Sequence, residues 1–208
     1  MSPAIPRTSP IEHLLNGVTR VGPGQIEVRL ASPWADGPPD NAALQNLLLL
    51  GDLSSCTTKV GVKGPRAALF LESQGVQLPA EVYATAAYGV EGLVAKLAEQ
   101  EFVLETTAKD GVFDPLENGL SEAPAGLLRV EHQEATFLLC GRRANEVMSQ
   151  VCAIDMSQVH PGTLVLTRAA VTSCAILREP WPEVLAYRIW VDASLAEYLW
   201  ETLSTIIG

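Results

Sequence analysis

Between Gln25 and Leu30 the chain alternates, with Ile26, Val28 and Leu30 apolar and Glu27 and Arg29 charged between them. A period of two predicts a half-buried strand. The same reading gives short strands at 59–63, 93–97, 102–105, 136–140, 164–168, 174–177 and 184–191. The last seventeen residues change period: Leu195, Tyr198, Leu199, Thr202, Leu203, Ile206 and Ile207 recur at helical spacing and predict one buried face. Ser194 and Glu197 ahead of this run have the spacing of a capping box. Trp200 falls outside the predicted stripe and is expected on the exposed side.

Seven of the 14 prolines precede residue 40, so residues 1–41 are expected to form an extended, turn-rich arm with a short helix near Ile11–Leu15. The body divides into residues 42–134 and 135–208. These two stretches can be aligned at a constant offset of 77, which lays Gly64 over Gly141 and Ala67 over Ala144. Each copy reads as a strand, a glycine turn, a helix and two further strands. The fold class expected is α+β, with duplicated strand–helix–strand–strand half-domains of ferredoxin-like type, related by a pseudo-two-fold and packed as one unit. Residues 106–126 carry glycine and proline at their centre and read as irregular.

Composition narrows the function classes. Lys and Arg number 14 against 24 Asp and Glu, a net charge of −10, and no basic run occurs, so nucleic acid is not expected as a partner. Apolar runs stay far below the roughly 18 residues of a membrane helix, and the proline-rich start does not resemble a signal peptide. A cytoplasmic protein without a membrane partner is expected. Charged residues make up only 18% of the chain, which leaves apolar surface for a partner.

Cys56, Cys140, Cys152 and Cys174 show no paired spacing, and His13, His132 and His160 are isolated. Reduced, packed thiols and no metal are expected. No nucleophile elbow, phosphate-binding loop or zinc-protease motif is present, so no catalytic residue is nominated.

Three stretches carry a resemblance. They are 8–15, then Gly51 to Ser54 followed by 60–67, and 155–202 with Pro161-Gly162, Leu166 to Arg168 and the helix from Ser194. Together they resemble the aminomethyltransferase folate-binding fold of the glycine cleavage T-protein, and most of all the family of sarcosine oxidase gamma subunits. The resemblance implies a tetrahydrofolate site, and Asp52, Tyr88 and Glu91 are its candidate residues. It also marks departures. One glutamate, Glu91, stands where the T-protein pattern has an acidic pair, and Ser55 and Cys56 replace a His-Met pair.

Read by themselves, Asp52 fits a turn or cap, Glu91 a solvated turn, and Tyr88 a core position. Trp181, flanked by Pro180 and Pro182, and Trp200 are the candidate interface residues.

The function expected from the resemblance is an accessory or scaffold subunit of a sarcosine-oxidase-like, tetrahydrofolate-linked one-carbon complex, without catalytic residues of its own. Its partners would be flavoprotein subunits or a second copy of itself. The alternatives are a stand-alone folate-binding protein or small aminomethyltransferase, and an unrelated α+β binding protein.

Overall fold

The computed structural model describes residues 8–32, 47–89, 92–107, 113–122 and 125–208. Two antiparallel sheets and four α-helices make up these residues, and contacts divide them into two compact units. No helix among them is long and apolar enough to cross a membrane.

The first unit takes the described residues up to Cys56, residues 134–161 and residues 165–208. Its strands are β1 (Gly17–Val21), β2 (Ile26–Leu30), β3 (Leu48–Asp52), β9 (Ala135–Gly141), β10 (Leu164–Ala169), β11 (Thr172–Arg178) and β12 (Ala186–Val191). They form one sheet in the order β1-β2-β3-β9-β12-β11-β10. Helices α3 (Ala144–Val151) and α4 (Ala196–Ile207) belong to this unit.

Strands β9 and β12 are buried at every position. Phe137, Leu139, Tyr187 and Ile189 pack with Val147, Met148, Leu199, Trp200 and Leu203 of the helices. Leu138, Cys140 and Ala186 join a second cluster with Val28, Leu49 and Leu53. Adjacent residues of one strand enter different clusters because successive side chains point to opposite faces.

The second unit, residues 57–133 with Gly162–Leu164, contains β4 (Thr57–Lys63), β5 (Thr85–Tyr88), β6 (Gly92–Ala98), β7 (Glu101–Thr107) and β8 (Leu128–Val130). Their order is β5-β6-β7-β4-β8. Helices α1 (Ala67–Ser73) and α2 (Asp114–Ser121) supply Ala67, Leu71, Leu116 and Leu120 to a core with Val60, Val62, Val94, Phe102 and Leu104. The outer edge of β5 is covered by Gly162–Leu164: Thr85 donates to Gly162 O at 2.9 Å, and Leu164 donates to Tyr83 O at 2.7 Å.

Three local expectations are corrected. Residues 106–126 are not wholly irregular, because α2 lies within them. Pro115 stands in its first turn, where its missing N–H costs nothing, and Leu116 and Leu120 meet the core one turn apart. The capping box does not form. Asp192 caps a 3-10 turn at Ala193–Leu195, accepting from Ser194 N at 2.9 Å and Ser194 Oγ at 2.5 Å, and α4 follows. The face of α4 is also rotated: Trp200 is 3% exposed while Tyr198 is 48% exposed. The larger apolar ring goes inside, edge-on to Phe137 at 5.3 Å, and the phenol stays at the surface.

Gly64 and Gly141 end β4 and β9 with φ of +127° and +117°, in a region that side chains rarely adopt. A Cβ at Gly64 would strike the carbonyl oxygen of Gly126, and one at Gly141 that of Leu47. In each case the blocking backbone leads into the neighbouring strand of the sheet, β8 or β3. Gly64→Ala and Gly141→Ala should therefore each destabilise the protein by about 2 kcal/mol or more. Chemical denaturation of both variants checks this, and wild-type stability in either would contradict the packing described.

Candidate functional site

Asp52 ends β3 in the first unit, and the turn after it folds back on its carboxylate. Oδ1 accepts from Ser54 N at 3.3 Å and from Ser54 Oγ at 2.6 Å. Ser54 Oγ in turn accepts from Thr136 N at 2.9 Å, and Leu53 N donates to Thr136 O at 2.8 Å. The end of β3 is thus fastened to the start of β9. Across the sheet Asp52 pairs with Arg29 of β2, whose guanidinium grips Glu12 in two bonds of 2.7 and 3.3 Å.

Asp52 is completely buried. Removal from water raises its pKa, and the Ser54 bonds, the nearby Ser9 hydroxyl and the Arg29 charge only partly oppose this. The same Asp-x-Ser turn recurs at Asp155 and Asp192, where exposure leaves the Ser hydrogen bonds dominant and both carboxyls sit below their usual range. Burial, not the motif, sets Asp52 apart.

The other candidates for a folate site lie in or beside the second unit. Tyr88 ends β5 in the second unit and is half-buried, with its ring stacked on Phe113 at 5.8 Å and 19° between planes. Burial raises its pKa. Glu91 lies outside the described residues. A pterin would need a carboxylate open to its amino-pyrimidine edge, and the sealed Asp52 does not offer one. Among the described residues Asp52 is therefore closed to such a ligand.

Sequence reasoning passed over two buried ion pairs. Lys59 and Glu105 face each other across β4 and β7 at 3.6 Å, with side chains 1% and 0% exposed. Arg188 and Glu179 meet at 2.6 Å in the first unit. Buried pairs of this kind fix geometry more reliably than they add stability. Their signal was a charged residue inside an otherwise apolar strand, as with Arg188 in β12.

The two candidate interface tryptophans differ. Trp200 belongs to its own unit's core, so its assignment to an exposed face is withdrawn. Trp181 is half-buried against the second apolar cluster. Its ring lies so close to Gly22 that a Cβ there would come within 2.6 Å of it. Residues of the turn between β1 and β2 therefore cover part of the indole, and a recess of about 250 Å³ remains beside it, lined by Pro23, Pro182 and Glu183.

All four cysteines are free thiols. Burial pushes Cys56 and Cys174 up to about 11 and Cys140 up to about 12. That is opposite to the lowering an attacking thiolate needs. Among the described residues no three His, Cys, Asp or Glu side chains gather to hold a metal ion.

No protein-family model matches the chain, and no curated protein does. Solved structures do. A chain of the heterotetrameric sarcosine oxidase from Corynebacterium sp. U-96, in complex with pyrrole 2-carboxylate, matches with a TM-score of 0.68 over 97% of this chain and 94% of that one, at 22% identity. The glycine cleavage system aminomethyltransferase T from Bartonella henselae matches with a TM-score of 0.66 over 96% of this chain, at 17% identity. The chain shares their fold. It spans 57% of the aminomethyltransferase chain. The sarcosine oxidase and aminomethyltransferase fold is therefore present here, while identities this low leave activity to be argued separately.

Asp52 and Cys56 give two measurements. The folded-state pKa of Asp52 is raised, so its native contribution is full below the ordinary carboxylate range and is lost as pH rises through the folded value. Asp52→Asn keeps an acceptor for Ser54 and removes the charge. Its stability relative to wild type should improve as pH rises above the ordinary carboxylate value of 3.8, and a flat or opposite trend in denaturation curves would contradict the burial argument. Cys56 is the one thiol of the four that is not fully buried. A thiol reagent should label it slowly at neutral pH and faster as pH climbs towards 11. Denaturation without reductant should expose four thiols.

Proposed function

We propose that this chain is an accessory subunit of a heteromeric, sarcosine-oxidising one-carbon complex and carries no catalytic group of its own. The observation that supports this most is the coverage. The chain corresponds nearly end to end with one chain of a heterotetrameric oxidase, and to little more than half of the aminomethyltransferase. The sealed Asp52 carboxylate and the raised thiols favour a structural part over a transferase. Four free cysteines favour a reducing, cytoplasmic setting.

We also infer that the two sheets descend from one duplicated unit. The orders β5-β6-β7-β4 and β10-β11-β12-β9 correspond strand for strand, with α1 and α2 in the places of α3 and α4. A glycine of positive φ lies at the end of the first strand and precedes the first helix of each set, at Gly64 and Gly141, which supports the same reading.

The isolated chain should be colourless, should not oxidise sarcosine, and should form no 5,10-methylene-tetrahydrofolate. Tetrahydrofolate titrated by calorimetry should give no binding heat and no rise in melting temperature. A native-state ligand at a hundredfold excess over Kd would add about 2.7 kcal/mol and be easily seen. Co-expression with flavoprotein subunits of a heterotetrameric sarcosine oxidase should yield a stable heteromer. Methylene-tetrahydrofolate formation by the chain alone would favour a small aminomethyltransferase instead.

A further inference from the structure

The outer face of α4 has a composition unlike the rest of the first unit. After Arg188 the chain contains no lysine or arginine, while Asp192, Glu197 and Glu201 are all exposed. Leu195 is 40% and Tyr198 48% exposed on the same helical turn and the one before it. Leu195, Tyr198, Thr202 and Thr205 are spaced by three, four and three residues, so they form one stripe along the helix.

The threonine hydroxyls do not make this stripe polar. Thr202 Oγ1 donates to Tyr198 O and Thr205 Oγ1 to Glu201 O, each at 2.8 Å, so both are engaged by the helix itself and the methyl groups are left to the surface. Glu197 and Glu201 run beside the stripe. Glu197 meets only His13 at 3.5 Å, and Glu201 has no cationic partner among the described residues. The result is an apolar strip with an aromatic anchor, bordered by carboxylates that no lysine or arginine among the described residues neutralises.

We propose that this face docks a partner chain of opposite charge, through an apolar pocket that receives Tyr198 and a rim of Lys or Arg that meets Glu197 and Glu201. The inference rests on the heteromeric reading above and specifies where that assembly is made. A second copy of this chain does not suit the face. A two-fold contact would set Glu197 and Glu201 against their own copies in a protein of net charge −10. An exposed tyrosine at the centre of an apolar strip is the kind of residue on which interface energy concentrates.

The test uses this chain and the flavoprotein subunits of a heterotetrameric sarcosine oxidase, with affinity measured for wild type, Tyr198→Ala, Glu201→Lys and Leu69→Ser. Leu69 is 68% exposed on α1 of the second unit and serves as the control. Melting temperatures confirm that the variants fold. Tyr198→Ala and Glu201→Lys should each weaken association by about tenfold or more, and Leu69→Ser should not. Wild-type affinity should fall as salt rises from about 50 to 500 mM, and Glu201→Lys should show a shallower dependence. If the heteromer forms and both α4 variants assemble like wild type, this face is wrong and the heteromeric reading stands. If wild type forms no heteromer with those chains, the reading and the inference fall together.

Discussion

Residues 135 to 141 are buried one after another, and Thr136 is the only polar side chain among them. A strand of this kind has no face to offer water, so it must stand inside a sheet with cover on both sides. Its neighbours β3 and β12 supply the edges, α3 and α4 cover one face, and the second cluster with Val28 and Leu49 occupies the other. The position of Asp52 follows from the same constraint. It sits where β3 leaves the sheet beside β9, and the turn through Ser54 satisfies backbone groups of Thr136 that this dense packing would otherwise strand.

The chemistry of the buried groups is consistent across the molecule. Asp52, Cys56, Cys140 and Cys174 all have their charged forms disfavoured by burial. Lys59 and Glu105 are held by each other in the second unit. Polar groups here are placed to close packing, and the exposed carboxylates of the surface, above all those beside α4, are the ones positioned to meet something else.

Much of the strand content was legible because period-two alternation and short apolar runs depend only on local sequence. Strands β2, β6, β7, β9, β10, β11 and β12 fall close to their expected places. The misses have physical reasons. Pro115 and Gly119 look like breakers, yet the first is harmless in an opening turn and the second lets Phe70 approach α2 closely. The turn joining β10 and β11 carries no glycine or asparagine: Ala170 and Val171 take φ of +47° and +62° directly. On α4 the expected stripe took Tyr198 inside and left Trp200 out, because periodicity fixes spacing and the partner ring, Phe137, fixes phase. Of the candidate site, Asp52 was legible as a turn former, whereas its burial depends on residues more than 80 positions away.

That separation has a consequence for the nascent chain. When β1, β2 and β3 leave the ribosome, the second strand that pairs with β3, β9, has not been made, and Ser54 waits 82 residues for the Thr136 amide. The strands and helices of the second unit, by contrast, all lie between residues 57 and 130, although the strip that covers β5 arrives only at Gly162–Leu164. Synthesis therefore delivers a nearly complete inner unit while the outer one is still an open three-stranded sheet with an apolar edge. The protein passes through a stage in which the β3 edge carrying Leu48, Leu49 and Leu50 lacks its β9 partner. Chaperone demand should be concentrated in that interval, and it ends when β9 is released.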